Sequence, residues 1–115
     1  MIALVYHNQR CSNSRGALSL LEHHDIDYQV KNYLNEPLTV EELLNLSLVC
    51  HLPLEELIRK KEEPYQQFKD RPMTNTDWAQ AIVEYPVLLQ RPIVVYNQKG
   101  IIARPPEKLL ELLKT

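Results

Sequence analysis

Cysteine is scarce in this chain, long apolar runs are missing, and there is no excess of positive charge. Two cysteines in 115 residues close at most one disulfide. That is far below the density of a small secreted scaffold, and two cysteines cannot complete a four-cysteine zinc site. The histidines make no metal set, so neither a metal nor a bound cofactor is expected. Thirteen Lys and Arg against fifteen Asp and Glu leave a formal charge of −2. Such a balance offers no overall basic surface to nucleic acid or to an anionic membrane, so any anion site must be local. The amino-terminal run Met1-Ile2-Ala3-Leu4-Val5-Tyr6 has no basic segment before it and ends after six residues. It is too short for a signal h-region or a membrane span, and a reducing cytoplasm is the expected location. Asn45-Leu46-Ser47 matches a glycosylation sequon but falls inside a helical apolar pattern, and it is set aside.

What remains is a chain of single-domain size, residues 1–115, with 44% hydrophobic residues, enough for a core without staples. No repeat or low-complexity tract breaks it. The β-favouring run Ile2 to Tyr6 predicts a strand, Cys11 to His24 a helix carrying Ala17, Leu18 and Leu21, and Asp27 to Tyr33 a second strand. Thr39-Val40-Glu41-Glu42 reads as a capping box opening a helix whose apolar stripe is Val40, Leu43, Leu44 and Leu48. Prolines 53, 64 and 86 punctuate further helical stretches over Leu54–Lys61, Pro64–Lys69 and about Thr76–Tyr85. Residues 39–90 thus form a helical insert. A hairpin follows, Ile93-Val94-Val95-Tyr96 and Ile101-Ile102-Ala103 around Asn97-Gln98-Lys99-Gly100, with Gly100 free to take positive φ. Pro105-Pro106-Glu107 opens a last helix bearing Leu109, Leu110, Leu112 and Leu113. The order βαβ, helical insert, ββα is that of an α/β, thioredoxin-like mixed sheet.

The chemistry concentrates in Tyr6-His7-Asn8-Gln9-Arg10-Cys11-Ser12-Asn13-Ser14-Arg15, between the first strand and the first helix. Unpaired N–H groups at a helix N-terminus favour a thiolate and equally bind an oxyanion. Arg10, Arg15 and His7 could add positive potential, the means by which proteins lower a cysteine pKa. The plainer alternative is that Cys11 is a small residue at a helix start. A tyrosine-phosphatase loop needs five residues between cysteine and arginine, whereas Cys11 and Arg15 enclose three. A dithiol oxidoreductase would place its second cysteine at Ser14, so Cys11 has no resolving thiol nearby.

His7-Asn8-x-x-Cys11-x-x-Ser14-Arg15, Arg91-Pro92-Ile93-Val94-Val95 and Arg104-Pro105-Pro106-Glu107 resemble the arsenate reductase family that works with glutathione and glutaredoxin. The motif Arg59-x-x-Glu62, followed by Tyr65, sits where that family carries an arginine in its helical insert. The resemblance spans nearly the whole chain. It implies that Cys11 is the nucleophile, that His7 and Ser14 support the thiolate, and that Arg59, Arg91 and Arg104 hold the oxyanion. It also implies a cis Arg91–Pro92 peptide beside Cys11, arsenate as substrate, glutathione as co-substrate and glutaredoxin as partner; a monomer is expected. The family usually has proline where this chain has Gln9, a departure that bears on loop rigidity. Three guanidinium groups suit a tetrahedral dianion, because lysine cannot supply bidentate geometry. Taken singly, each arginine also has an ordinary reading: Arg59 as a solvated helix residue beside Lys60 and Lys61, Arg91 in a loop, Arg104 at a strand end. Arg10 and Arg71 stay in that ordinary class.

Cys50 lies on an apolar helical face and reads as a buried inert thiol, with a Cys11–Cys50 bridge as the sharper alternative. His51 reads as a helix C-cap, while Trp78 and Phe68 read as core anchors rather than base-stacking platforms. Two other functions are alternatives, the first of them sharing almost every residue with the reading above and the second fitting less well. One is a glutathione-dependent reductase acting on a different substrate. The other is a Spx-type regulator that contacts RNA polymerase, whose switch is a vicinal cysteine pair that Ser14 precludes.

Overall fold

The computed structural model describes residues 2–8 and 10–114. The chain divides into two compact units, Met1–Glu36 with Arg91–Thr115, and Pro37–Gln90. The first unit contains β1 (Ala3–Tyr6), α1 (Ser12–His23), β2 (Tyr28–Lys31), β3 (Ile93–Tyr96), β4 (Lys99–Ile102) and a 3-10 helix, Pro106–Lys114. Its sheet has the order β2-β1-β3-β4. The β1–β2 pair is parallel, as its crossover through α1 requires, and the other two pairs are antiparallel. This is the thioredoxin-like mixed sheet. The uninterrupted apolar run suits β1, an inner strand paired on both edges, where Ala3, Val5 and Tyr6 are buried. Around it pack Ala17 and Leu21 of α1, one helical turn apart, with Val94, Ala103, Leu109 and Leu112.

Two expectations for this unit are corrected. The hairpin turns at Asn97 and Gln98, with φ of 53° and 62°, and no described glycine has positive φ. Gly100 pairs with Val95 inside the ladder. Because Tyr96 and Lys99 form the last pair, two residues must make the corner. The strand twist then favours a turn with positive φ at both. The closing segment is 3-10 rather than α. Leu109 and Leu112 are buried there, and their spacing of three residues matches the three-residue turn of that helix.

The second unit holds α2 (Val40–Cys50), α3 (Asn75–Glu84) and the short 3-10 segments Leu54–Leu57, Glu63–Gln67 and Pro86–Leu88. The capping box at Thr39 is present: its hydroxyl accepts from the Glu42 N–H, and the Glu42 carboxylate accepts from the Thr39 N–H, both at 3.1 Å. A second one, Thr74 with Asp77, opens α3. The expected stripe on α2 is corrected at one end, since Leu48 is 72% exposed and the buried residues are Leu43, Leu46 and Ser47. The Ser47 hydroxyl donates to the Leu52 carbonyl at 2.5 Å and accepts from the Asn75 side-chain amide at 3.1 Å. The Asn75 side-chain oxygen in turn accepts from the Leu54 N–H at 2.8 Å. This polar knot ties the end of α2 to the start of α3 and rotates Leu48 outward. His51 is indeed the C-cap, in the left-handed conformation with φ 56°.

The helices expected over Leu54–Lys61 and Pro64–Lys69 shrink to single 3-10 turns. Ile58 instead forms an isolated antiparallel bridge with Leu89. Pro64 and Pro72 leave only seven residues between them, too few for an α-helix to propagate. Trp78 and Phe68 are buried with ring centroids 6.0 Å apart, and Tyr65 stacks on Trp78 at 6.1 Å. Arg71 covers the Phe68 ring at 5.5 Å.

Candidate active site

The loop from β1 to α1 is built around Asn8, which is nearly fully buried. Its side-chain oxygen accepts from the Arg10 N–H at 2.9 Å, and its carbonyl accepts from the Cys11 N–H, also at 2.9 Å. Its own N–H donates to the Ser14 hydroxyl at 3.3 Å. Asparagine favours such turns because its short amide mimics the backbone. That signal was present in the sequence, yet Asn8 was read there only as part of a motif. Gln9 lies outside the described residues.

Cys11 is the N-cap of α1, with extended φ and ψ of −94° and 124°. Its half-buried sulfur faces the N–H groups of the first helical turn. Burial pushes the thiol pKa up, but the Ser14 N–H and hydroxyl, the Asn13 N–H and the Arg104 charge together outweigh it, so Cys11 titrates below an ordinary thiol. Arg104 Nη1 lies 3.6 Å from the Cys11 sulfur and donates to the Arg91 carbonyl at 3.0 Å. Arg91 precedes β3 and Arg104 follows β4, so both stand at the open end of one hairpin. Between them the Ala103 N–H donates to the Pro92 carbonyl at 2.9 Å. The Arg91–Pro92 peptide is cis, as the resemblance implied, and so is Arg104–Pro105.

His7 and Ser14 are both buried, at 6% and 0% exposure. Burial first, and then the Arg15 charge, hold the His7 pKa below its ordinary value. A neutral imidazole supplies no positive potential, which corrects that part of the sequence reading. Its Nδ1 is buried without a hydrogen-bond partner among the described residues. Beside the loop, His7, Asn8, Arg10, Asn32, Leu34 and Asn35 line a cavity of about 200 Å³.

Arg59 belongs to the second unit. It is not a solvated helix residue: its side chain is 18% exposed, its Nε sits 3.3 Å from a Glu62 carboxylate oxygen, and its N–H donates to the Leu88 carbonyl at 2.6 Å. Cys50, at the end of α2, is pushed up to about 11 by burial. Both cysteines are free thiols. Among the described residues no group of three or more His, Cys, Asp or Glu is placed to hold a metal, and no helix is long and apolar enough to cross a membrane.

A thiol of lowered pKa at a helix start, set on a thioredoxin-like sheet and faced by a guanidinium, defines the class: thioredoxin-like proteins that present a single thiol at the start of the first helix. Within that class the chain belongs to the ArsC family, whose family model matches residues 6–112. It is 38% identical over 112 residues to the uncharacterized protein YfgD of Escherichia coli, covering 95% of this chain and 94% of the relative. An arsenate reductase of Haemophilus influenzae is 35% identical, covering 98% of this chain and all of the relative. Among solved structures, an arsenate reductase from Vibrio cholerae superposes with a TM-score of 0.91 at 39% identity, covering 96% of this chain and 97% of the other.

Proposed function

We propose that the chain reduces arsenate to arsenite, with Cys11 as nucleophile, glutathione as co-substrate and glutaredoxin as the final reductant. The observation that carries this reading is the Arg104 guanidinium 3.6 Å from a thiol at a helix N-terminus. That arrangement serves thiolate and tetrahedral oxyanion alike. Names of relatives at 35% identity and of a superposing structure give the oxyanion as arsenate. The Cys11 thiolate attacks arsenic, and one arsenate oxygen leaves as water. A glutathione thiol then attacks the Cys11 sulfur, and the electron pair of the sulfur–arsenic bond stays on arsenic, which departs as arsenite. Two thiols have become a mixed disulfide, and glutaredoxin reduces it. No second protein thiol is needed, consistent with Ser14 three residues after Cys11.

The test is NADPH oxidation coupled through glutathione reductase. Turnover should require arsenate, glutathione and glutaredoxin together, vanish in Cys11→Ser and survive in Cys50→Ala. Turnover in Cys11→Ser, or NADPH oxidation indifferent to arsenate, would overturn the proposal. The role that the resemblance gives to Arg59 is read in the same assay from Arg59→Ala.

A further inference from the structure

Gly16 lies in α1 five residues after Cys11, where nothing in its backbone requires glycine, since no described glycine has positive φ. On helix propensity alone alanine would be the better residue at such a position. Its surroundings give the reason for glycine. A Cβ built on Gly16 would stand 2.7 Å from Pro106 Cγ and 3.3 Å from Pro106 Cβ. The first distance is well inside van der Waals contact, and the neighbour is a stiff ring rather than the far end of a flexible chain. Pro106 is two residues beyond Arg104 and begins the 3-10 helix that packs on α1. Arg104 spans from the Arg91 carbonyl, at 3.0 Å, to the Cys11 sulfur, at 3.6 Å.

We infer that Gly16 is a positioning residue for Cys11: the missing side chain lets the Pro106 ring seat against α1, and that seat fixes how closely Arg104 approaches the thiol. The attraction between guanidinium and thiolate falls with distance, so displacing the segment outward from 3.6 Å weakens it directly. The other groups around the loop cannot substitute for the lost charge. Burial and the Arg15 charge disfavour a positive His7, and the Ser14 and Asn13 donors belong to α1 and keep their places beside Cys11. The effect is therefore on the thiol, with the fold retained.

This rests on Cys11 being the reacting thiol, but the test reads titration of the sulfur rather than turnover, so the two readings fail separately. The measurement is the pH dependence of iodoacetamide labelling at Cys11, resolved by mass spectrometry, on wild type, Arg104→Ala, Gly16→Ala and Gly16→Ala/Pro106→Ala, with circular dichroism as the fold control. Gly16→Ala should raise the labelling midpoint and slow labelling at pH 6.5, by less than Arg104→Ala does, since Arg104 is the smallest of the influences that lower the Cys11 pKa and labelling follows the thiolate fraction. Shortening Pro106 removes the Cγ that the new methyl meets, so the double variant should return to the wild-type profile. A folded Gly16→Ala with an unchanged profile overturns the inference. So does a folded double variant that stays shifted, because Gly16 would then act other than through Pro106. Should Gly16→Ala fail to fold, the double variant alone decides: a wild-type profile supports the inference and a shifted one overturns it.

Discussion

The two thiols of this chain illustrate how placement sets reactivity. Cys11 meets N–H donors and a guanidinium, whereas Cys50 meets only burial. Iodoacetamide near pH 7.5 should therefore label Cys11 at least tenfold faster than Cys50 in the folded protein, and a single modified peptide in the digest would show it. The same contrast has a sign in stability. Cys50 holds its proton to about pH 11 when folded but loses it near 8.5 when unfolded. Its contribution is complete below the unfolded value and disappears as pH rises toward 11. Wild type should thus lose melting temperature between pH 9 and 11 faster than Cys50→Ala does, which differential scanning fluorimetry can follow. Cys11 runs the opposite way: its thiolate is favoured in the folded state, so its contribution is present above the unfolded pKa and fades as pH falls through the lowered one. Arg104 adds a question of shape. One nitrogen bonds the Arg91 carbonyl while reaching the sulfur, and the rest of the planar fork is what a lysine ammonium lacks for bidentate binding of an oxyanion. In the proposed reaction Arg104→Lys should cost about ten- to a hundredfold in kcat/KM although the charge is kept.

Among the elements, α2 and α3 each begin with a reciprocal threonine–carboxylate box, and the 3-10 segments do not. Thr39→Ala removes a donor-satisfying hydroxyl and should lower unfolding free energy by about 0.5–2 kcal/mol in urea titration. The hairpin corner carries the opposite kind of residue, since Gln98 sits at φ 62° with no side-chain reason to be there. Left-handed conformation costs an ordinary L-residue about 1–2 kcal/mol, so Gln98→Gly should raise stability, by about 0.5–1 kcal/mol after glycine's greater loss of freedom is counted. Sequence patterning made some of these elements plain and hid others, for identifiable reasons. The Thr39 box was legible because its chemistry is local, three residues apart. The end of the α2 stripe was not, because the Ser47–Asn75 bond that rotates Leu48 outward joins residues 28 apart. Helical periodicity over Leu54–Lys61 was real but irrelevant once Ile58 found Leu89 as a bridge partner.

At the scale of the whole molecule, a chain of formal charge −2 sets the Arg104 guanidinium against one thiol. Sulfate, phosphate or arsenate should therefore slow Cys11 labelling competitively, and the protection should weaken with added chloride more than with added sucrose. The loop and its flanking arginines were readable from the sequence as motifs, since each is a short run. Their meeting was not, because Arg104 approaches Cys11 across 93 residues of chain, and the glycine that permits the approach looks like any other helical residue. The hairpin has one more property. Both of its arginines are at the open end, while the Asn97–Gln98 corner lies beyond the pairs Ile93–Ile102, Val94–Ile101, Val95–Gly100 and Tyr96–Lys99, roughly 20 Å away along the strands. The corner is exposed and holds no loop residue of the site. It is accordingly the natural point at which to splice in a reporter peptide or to open the chain for circular permutation, leaving the reactive end of the hairpin with its native spacing.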